Sequence, residues 1–307
     1  TITIFFFLKS IEKLDVNNLI YFSLFSALSF NLRIFSILIP IFFLVILIIK
    51  NYSKNKYFHD YKKFTLYLFF LVFFTYIFWP YLWSNPLENF IKLFTSLDGD
   101  LITMNILYFD QFISNKYLPD TYILNWIFIS SPIFQILLFS FGYFSNLIRL
   151  TKRFITMKDN VFYSDMWRGK KEMTDFILFL IFTSYFFIFL FLNTSFYNGW
   201  RLVYFFNFFI IYFAIYYVNF LLNIFKRNKF IRKSIIIFTL FAVGYNSVAL
   251  ISYHPFQSVY FNSLLSSKTV KGFEGDYHGI SAKHFFKKIA SLDNKKIIKI
   301  GVASFTP

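Results

Sequence analysis

The sequence predicts an all-α polytopic transmembrane protein that ends in the start of a small α/β extracytoplasmic domain. Of its 307 residues, 57% are hydrophobic and 25% aromatic, and the mean hydropathy is +0.56. A soluble domain is only about 45–50% apolar even when glycine is counted. Long apolar runs alternate with short basic loops, and a helix needs about 20 apolar residues to cross a bilayer. We therefore expect most of the chain to lie in a membrane.

The charge balance and the metal-ligand inventory exclude several classes of function. A net charge of +16 would favour a nucleic-acid partner in a soluble protein. Here the basic residues fall between apolar runs, where membrane topology explains them, so we expect no nucleic acid to bind. The chain has no cysteine, and its four histidines lack the paired spacing of a zinc motif. We expect neither a metal site nor another cofactor.

The first residues, Thr1–Leu8, are apolar but too short to cross a bilayer. No basic leader region and no cleavage site accompany them, so we do not expect a signal peptide here. We expect instead that they are the end of a helix that begins upstream of Thr1.

Seven apolar segments are predicted to form the membrane helices. In chain order they are Asn18–Phe30, Ile34–Ile49, Phe64–Trp79, Tyr122–Ile148, Phe176–Leu192, Leu202–Phe225 and Ile235–Ser252. The first two are short, and we expect a hinge between them at Asn31–Arg33. Pro132 lies inside the fourth segment and predicts a kink, because a proline removes a backbone hydrogen bond.

Three basic loops determine the predicted topology, because two crossings separate each loop from the next. These loops are Lys50–Lys63, Arg149–Lys171 and Lys226–Lys233. The positive-inside rule assigns all three to the cytoplasm. The segments Pro80–Asp120 and Asn193–Trp200, and everything after Tyr253, are then outside.

Two domains are predicted from this layout. Residues 1–253 form a membrane core, truncated at its N-terminus, with an outer loop at 80–120. Within that loop, Pro86–Phe94 is amphipathic and fits a helix in the membrane interface, with Asn85 as its cap.

Residues 254–307 are expected to begin an outer α/β domain, which is truncated in turn. Gly272–Gly279 is rich in turn residues, Ser281 can cap a helix over Ala282–Leu292, and Lys296–Ala303 has the pattern of a β-strand. One helix and one strand cannot bury a core, so we expect this domain to continue beyond Pro307.

Arg201 is the first candidate for a functional residue. It precedes the uncharged run Leu202–Phe225, and moving an arginine toward hydrocarbon costs about 2.5–3.5 kcal/mol on insertion scales. The alternative is that its side chain extends to lipid headgroups beside an interfacial Trp200. Arg33 is predicted at the same leaflet. Together the two guanidinium groups would neutralise a phosphate at the membrane surface.

Three motifs in the outer segments follow one another in an order seen in a known enzyme group. They are Trp79-Pro80-Tyr81-Leu82-Trp83-Ser84-Asn85-Pro86, then Tyr197-Asn198-Gly199-Trp200-Arg201-Leu202-Val203-Tyr204-Phe205, then His254-Pro255-Phe256-Gln257-Ser258-Val259-Tyr260-Phe261-Asn262 with Phe273-Glu274-Gly275-Asp276-Tyr277-His278-Gly279-Ile280-Ser281. They resemble motifs of bacterial membrane glycosyltransferases related to glycosyltransferase family 39, the dolichyl-phosphate-mannose and aminoarabinose transferase-like group. Leu202 replaces a usual histidine and His278 a usual tryptophan.

The resemblance implies a GT-C fold in the bacterial inner membrane and a polyprenyl-phosphate-linked sugar as donor. It implies inverting transfer on the periplasmic side, with little or no dependence on metal. In this interpretation Arg201 and Arg33 bind the donor phosphate and stabilise the charge that develops on it.

The resemblance also suggests further site residues. The substrate-binding candidates are Trp83, Asn198, His254 and Asp276. Enzymes of this group carry their catalytic carboxylate in the first outer loop, which we expect upstream of Thr1. Within the chain, Asp98 and Asp100 are the remaining candidates for that carboxylate.

Two other functions are compatible with such a sequence. A transporter or flippase of lipid-linked saccharides would carry ionisable residues in the middle of its spans and often shows internal repeats. The predicted spans are nearly free of charge at their centres, and no repeat is evident. A structural membrane anchor would leave Arg33 and Arg201 without a role.

Overall fold

The computed structural model describes residues 1–51, 57–95, 104–156, 167, 169–191, 196–276 and 279–292, and it is predominantly helical. The helices are α1 (Ile2–Glu12), α2 (Val16–Leu32), α3 (Leu38–Asn51), α4 (Tyr57–Phe78), α5 (Pro86–Thr95), α6 (Tyr122–Ser130), α7 (Ile133–Thr156), α8 (Lys170–Phe191), α9 (Phe206–Ile224), α10 (Lys229–Ser252), α11 (Ser267–Val270) and α12 (Ile280–Leu292), and the strands are β1 (Asn105–Tyr108) and β2 (Gln111–Ser114).

Five of these helices, α4 and α7 to α10, are long and apolar enough to cross a membrane. This is the pattern of an all-α polytopic membrane protein, as the sequence predicted. The first two predicted spans are α2 and the shorter α3, and a 3-10 helix at Ile34–Ile37 joins them. A break is therefore confirmed between these segments, but it begins at Arg33, because Asn31 and Leu32 still belong to α2.

The chain divides into two compact units, of which the first comprises Thr1–Ile102 and Ser145–Phe186. Its interior is aromatic around α2 and α4. The Phe22 ring stacks on that of Tyr67 with centroids 4.5 Å apart, and the Tyr67 hydroxyl lies 3.2 Å from Ser26 Oγ. A buried hydroxyl needs such a partner, because an unpaired one costs about 1–3 kcal/mol.

The second predicted basic loop is partly helical in the first unit. Helix α7 continues to Thr156, so that two of the loop's arginines lie on it and face the start of α8. Arg149 pairs with Asp175 at 2.8 Å, and Arg153 with Glu172 at 3.0 Å. These arginines thus join α7 to α8. The prediction of a basic loop over Arg149–Lys171 did not include this role.

The predicted outer-loop helix is confirmed as α5, which begins at Pro86. Proline is favoured in the first turn, where its missing N–H has no helical partner anyway. Lys92 and Glu88 form an i,i+4 ion pair at 2.6 Å. Leu87 and Ile91 are 81% and 61% exposed. The helix thus leaves part of its apolar face unburied in its own unit.

The second unit comprises Thr103–Phe144 and Phe187–Pro307. Its β1–β2 hairpin is antiparallel and pairs Asn105 with Ser114 and Tyr108 with Gln111. Phe273 forms an isolated bridge with Tyr108 and is 3% exposed. The hairpin therefore holds the chain that follows α11.

Helices α6 and α7 are separate elements, so the break at Pro132 is sharper than the predicted kink. Asn262 satisfies the backbone groups left open there. Its N–H donates to Ile129 O at 2.8 Å, and its side-chain amide donates to the carbonyls of Phe128 and Ser131. This residue, the last of the His254–Asn262 motif, thereby fixes the junction.

The helix predicted over Ala282–Leu292 is confirmed as α12, which begins two residues earlier. Asp276, instead of Ser281, supplies the side-chain acceptor, since its carboxylate accepts from the N–H groups of Ile280 and Ser281. The strand predicted over Lys296–Ala303 lies outside the described residues. The division into a core at 1–253 and a tail at 254–307 stays a prediction.

Candidate functional site

A cleft of about 740 Å³ opens in the second unit beside the α6–α7 junction, the start of α9 and the C-terminal half of α10. Aromatic and neutral polar side chains line most of it, including Trp126, Gln135, Trp200, Tyr204, Asn207, Asn246, Tyr253, Gln257 and Tyr260. Arg201 is the one charged residue among the described residues that line this space. Such a mixture, largely aromatic with a few placed polar groups, is typical of small-ligand sites.

A tight turn places Arg201 at the cleft. Asn198 and Gly199 both have positive φ, 57° and 65°, in the left-handed region that glycine adopts readily. At Gly199 a Cβ would also approach the ring of Trp126 to 3.3 Å. Trp200 is buried at 8% exposure, whereas Arg201 is exposed. Trp200 is thus packed inside the unit, and the alternative of an interfacial anchor for this residue loses support.

A chain of polar side chains extends the site from Arg201 along α9. Tyr204 and Asn207 follow Arg201 at intervals of three, on one side of the chain as it turns into the helix. Gln135 Nε2 donates to Asn207 Oδ1 at 2.8 Å, and Asn207 Nδ2 donates to Tyr204 Oη at 3.2 Å. These bonds orient the side chains that a ligand would meet.

Asn246 supplies an unused acceptor in the same cleft. Its Oδ1 is buried and has no hydrogen-bond partner within the part of the chain that the structure describes. A buried polar atom without a partner costs about 1–3 kcal/mol. A ligand hydroxyl or amide that donates to this oxygen would recover that cost.

The predicted site residues divide between the units. Arg33 and Trp83 belong to the first unit, where Arg33 is exposed ahead of the 3-10 helix and Trp83 Nε1 donates to Tyr76 O at 2.8 Å. Neither lines the cleft of the second unit. Asp98 and Asp100 lie outside the described residues. For all four, a role in binding or catalysis stays a prediction.

Apart from Arg201, the other predicted residues are Asn198, His254 and Asp276, which lie in the second unit but do not line the cleft. Asn198 forms the turn before Arg201. His254 Nδ1 accepts from Gln257 Nε2 at 2.8 Å and so orients an amide that does line the cleft. Asp276 bonds to the backbone at the start of α12, a structural use of its carboxylate. Substrate binding by these three residues stays a prediction.

Sequence reasoning did not single out Glu274. Its Oε2 atom is buried and has no hydrogen-bond partner among the described residues. Burial raises the pKa of this carboxyl from 4.5 to about 7, although the backbone N–H groups of Gly199 and Asn198 act in the opposite direction. Only its place in the Phe273–Ser281 motif marked it in the sequence, because its burial depends on distant segments.

An apolar groove of about 410 Å³ adjoins these elements along the same three helices. It is lined by the following turns of α7, by the later part of α9 and by the first half of α10, and it presents only apolar surface. On α9, Asn207 lines the cleft and Leu221 lines the groove, about 21 Å apart along the axis at about 1.5 Å per residue. The second unit thus has a polar cleft and a separate apolar groove on the same three helices.

Compared with known proteins, the chain matches no family model, no curated protein and no solved structure. Among the described residues, His, Asp and Glu side chains form no group of three that could hold a metal ion. The function is therefore inferred from the sequence motifs and from the residues that line the cleft.

Proposed function

We propose that the protein is a bacterial inner-membrane glycosyltransferase that transfers a sugar from a polyprenyl-phosphate-linked donor to an acceptor on the periplasmic side. The observation that carries this proposal is Arg201, the single charge among the described residues that line an otherwise neutral, aromatic cleft in a polytopic membrane protein. A guanidinium offers forked donors that match phosphate oxygens. The proposed ligand is an anionic lipid whose phosphate lies at Arg201.

The apolar groove supports a lipid donor over a soluble one. A nucleotide sugar would need polar partners along its whole length, whereas the groove offers none on its surface. A polyprenyl chain in the membrane would fill the groove by van der Waals packing, since no transfer from water drives apolar association there. The GT-C fold and the sugar-transfer reaction follow from the motif resemblance.

In the proposed reaction, the acceptor oxygen forms a bond to the anomeric carbon while the bond from that carbon to the phosphate oxygen breaks. The phosphate leaves with additional negative charge, which Arg201 would stabilise more strongly in the transition state than in the bound donor. The acceptor's proton passes to a base. None of the described residues that line the cleft is a carboxylate that could accept this proton.

Arg201 variants test this proposal in the native protein reconstituted into vesicles. Binding of a polyprenyl-phosphate hexose and release of polyprenyl phosphate are measured for each folded variant. We expect Arg201→Ala to weaken binding by about tenfold or more, because a hydrogen bond to a charged group contributes about 1.5–3 kcal/mol. Arg201→Lys should recover part of the affinity, since lysine keeps the charge but loses the fork.

Arg232→Ala is the matched control, because Arg232 is an exposed arginine near the start of α10 that does not line the cleft. It should bind the donor like the wild type. Full affinity in Arg201→Ala would refute the proposal. Movement of the intact lipid across the bilayer without loss of its sugar would identify a flippase, and absence of binding by the wild type would favour an anchor.

A further inference from the structure

The segment that follows α10 brings the side chains of His254 and Gln257 together beside the cleft. His254 N donates to Ile251 O at 3.1 Å, and Tyr260 N donates to Gln257 O at 3.2 Å, so local hydrogen bonds fix the backbone at both residues. The rings of Tyr253 and Tyr260 pack edge to face with their centroids 5.2 Å apart and close the segment. The two side chains therefore extend from a fixed backbone.

Two acceptors determine which way the Gln257 amide faces. Its Nε2 atom donates to His254 Nδ1 at 2.8 Å and makes a longer bond to Leu250 O at 3.5 Å. The carbonyl of Leu250 can only accept, so an amide turned by 180° would place two acceptor oxygens against each other. The bond to His254 is the stronger of the two, because hydrogen bonds weaken beyond about 3.2 Å. His254 is thus the main partner of Gln257 Nε2.

This orientation leaves Gln257 Oε1 as an acceptor for a ligand. Gln257 lines the cleft, and its Oε1 atom has no hydrogen-bond partner in the described part of the chain. Asn246 Oδ1 is a second such acceptor of the same cleft. Both acceptors are neutral amide oxygens, which suit a hydroxyl donor. An ammonium group would favour a carboxylate, and the described lining residues include none.

We propose that His254 is a positioning residue that fixes the Gln257 amide, so that Gln257 Oε1 accepts a hydrogen bond from a hydroxyl of the donor's sugar. This inference rests on the proposed function, in which Arg201 binds the donor phosphate. His254 is exposed and does not line the cleft, so it acts through Gln257 and not by touching the ligand. In this respect the inference differs from the sequence-based prediction that His254 itself binds the substrate.

Substitution of His254 separates an action through Nδ1 from an action through Nε2. The asparagine amide is bonded to Cγ, as Nδ1 is, so His254→Asn keeps an acceptor near the place of Nδ1. The glutamine amide lies one bond farther out, nearer the place of Nε2. We expect His254→Leu to lower the affinity for a polyprenyl-phosphate hexose by about two- to tenfold, the effect of one neutral hydrogen bond. His254→Asn should restore the affinity, whereas His254→Gln should not.

A double-mutant cycle in the native protein, reconstituted into vesicles, tests whether His254 acts through Gln257. Gln257→Met removes the amide and keeps an unbranched side chain. We expect His254→Leu to have no further effect on hexose-lipid binding in the Gln257→Met background. Polyprenyl phosphate without a sugar is the second probe, since it still meets Arg201 but brings no sugar hydroxyl. Both single variants should bind this probe like the wild type.

His284→Leu is the matched control, because His284 is an exposed histidine of α12 that does not line the cleft. Its ring contacts that of Phe256 with centroids 5.3 Å apart. The substitution therefore disturbs the same segment without touching the Gln257 amide. It should leave the affinity for both lipids unchanged.

Several results would overturn the inference and leave the role of Arg201 in place. They are wild-type affinity in His254→Leu, additive effects in the cycle, and an equal loss for both lipids. Restoration by His254→Gln instead of His254→Asn would identify direct contact of the ligand with Nε2. A wild type that binds neither lipid would refute the proposed function, and the proposed sugar contact with it.

Discussion

Gly142 of α7 lies where this helix packs against the backbone of α9. A Cβ at this position would be 2.0 Å from the carbonyl oxygen of Phe213 and 2.8 Å from its carbonyl carbon. Close approach of helix backbones at small residues is typical of packing inside membranes. We therefore expect Gly142→Ala to destabilise the second unit, since the atoms that it meets belong to the backbone and cannot rotate away.

Two opposing effects determine how much Gly142→Ala destabilises the second unit. Alanine is favoured over glycine in a helix interior by about 1 kcal/mol. Against this, contacts of carbon have their optimum at about 3.5–4.0 Å, so α7 and α9 would have to separate by about 1.5 Å. Overpacking of this kind costs about 1–3 kcal/mol, and more where a backbone must move. Because the α9 backbone must move, the upper part of this range, about 2–3 kcal/mol, applies, and subtracting the gain of about 1 kcal/mol leaves a net loss of about 1–2 kcal/mol.

Gly244 of α10 provides a matched control, because no atom lies within 4 Å of a Cβ built there. Gly244→Ala should be neutral or stabilising by about 0.5–1 kcal/mol. Both variants are compared with the wild type by thermal unfolding in one detergent and by donor binding. If Gly142→Ala unfolds at the same temperature as Gly244→Ala, the close approach of α7 and α9 is refuted.

Two further predictions concern the α6–α7 junction and the topology. Asn262→Ala should cost about 1–3 kcal/mol, because the carbonyls of Phe128 and Ser131 lose their donor. Asn228→Ala, which removes an exposed cap of α10, should lower the unfolding temperature less, and an equal loss would contradict the role given to Asn262. The chain has no cysteine, so single cysteines at Arg227 and Lys271 can be labelled with an impermeant maleimide. The cysteine at position 271 should react from outside, and the cysteine at position 227 should react only after the membrane is opened. The reverse result would show that the predicted topology is inverted.

Local patterns predicted much of the helical architecture. The apolar runs predicted the five helices that are long and apolar enough to cross a membrane. The polar interruption at Asn31–Arg33 predicted the break that follows α2, and Pro132 marked the break between α6 and α7. Each of these features depends on neighbouring residues alone, since a proline removes its own backbone donor wherever it lies. Arg201 was selected for the same kind of reason, because a charge at the edge of an uncharged run is visible in the sequence.

The rest of the site depends on segments that are distant in sequence. The β1–β2 hairpin was not predicted in the outer loop, because its strands are only four residues long and Phe273 completes their packing from far along the chain. Asn262 lies more than a hundred residues from the carbonyls that it satisfies. Glu274 resembles any acidic loop residue until its burial is known. No local periodicity encodes such contacts.

The groove beside the cleft bears on the choice between a transferase and a flippase. A flippase must move the charged phosphate across about 30 Å of hydrocarbon, which requires polar groups along the path. In the described part of the second unit, the separate groove along α7, α9 and α10 presents only apolar surface, and Arg201 is the charged residue of the cleft. Such an arrangement suits a hydrocarbon chain that remains in the membrane while its phosphate is held at a fixed depth. Holding the leaving group at one place is what a displacement at the adjacent sugar carbon requires.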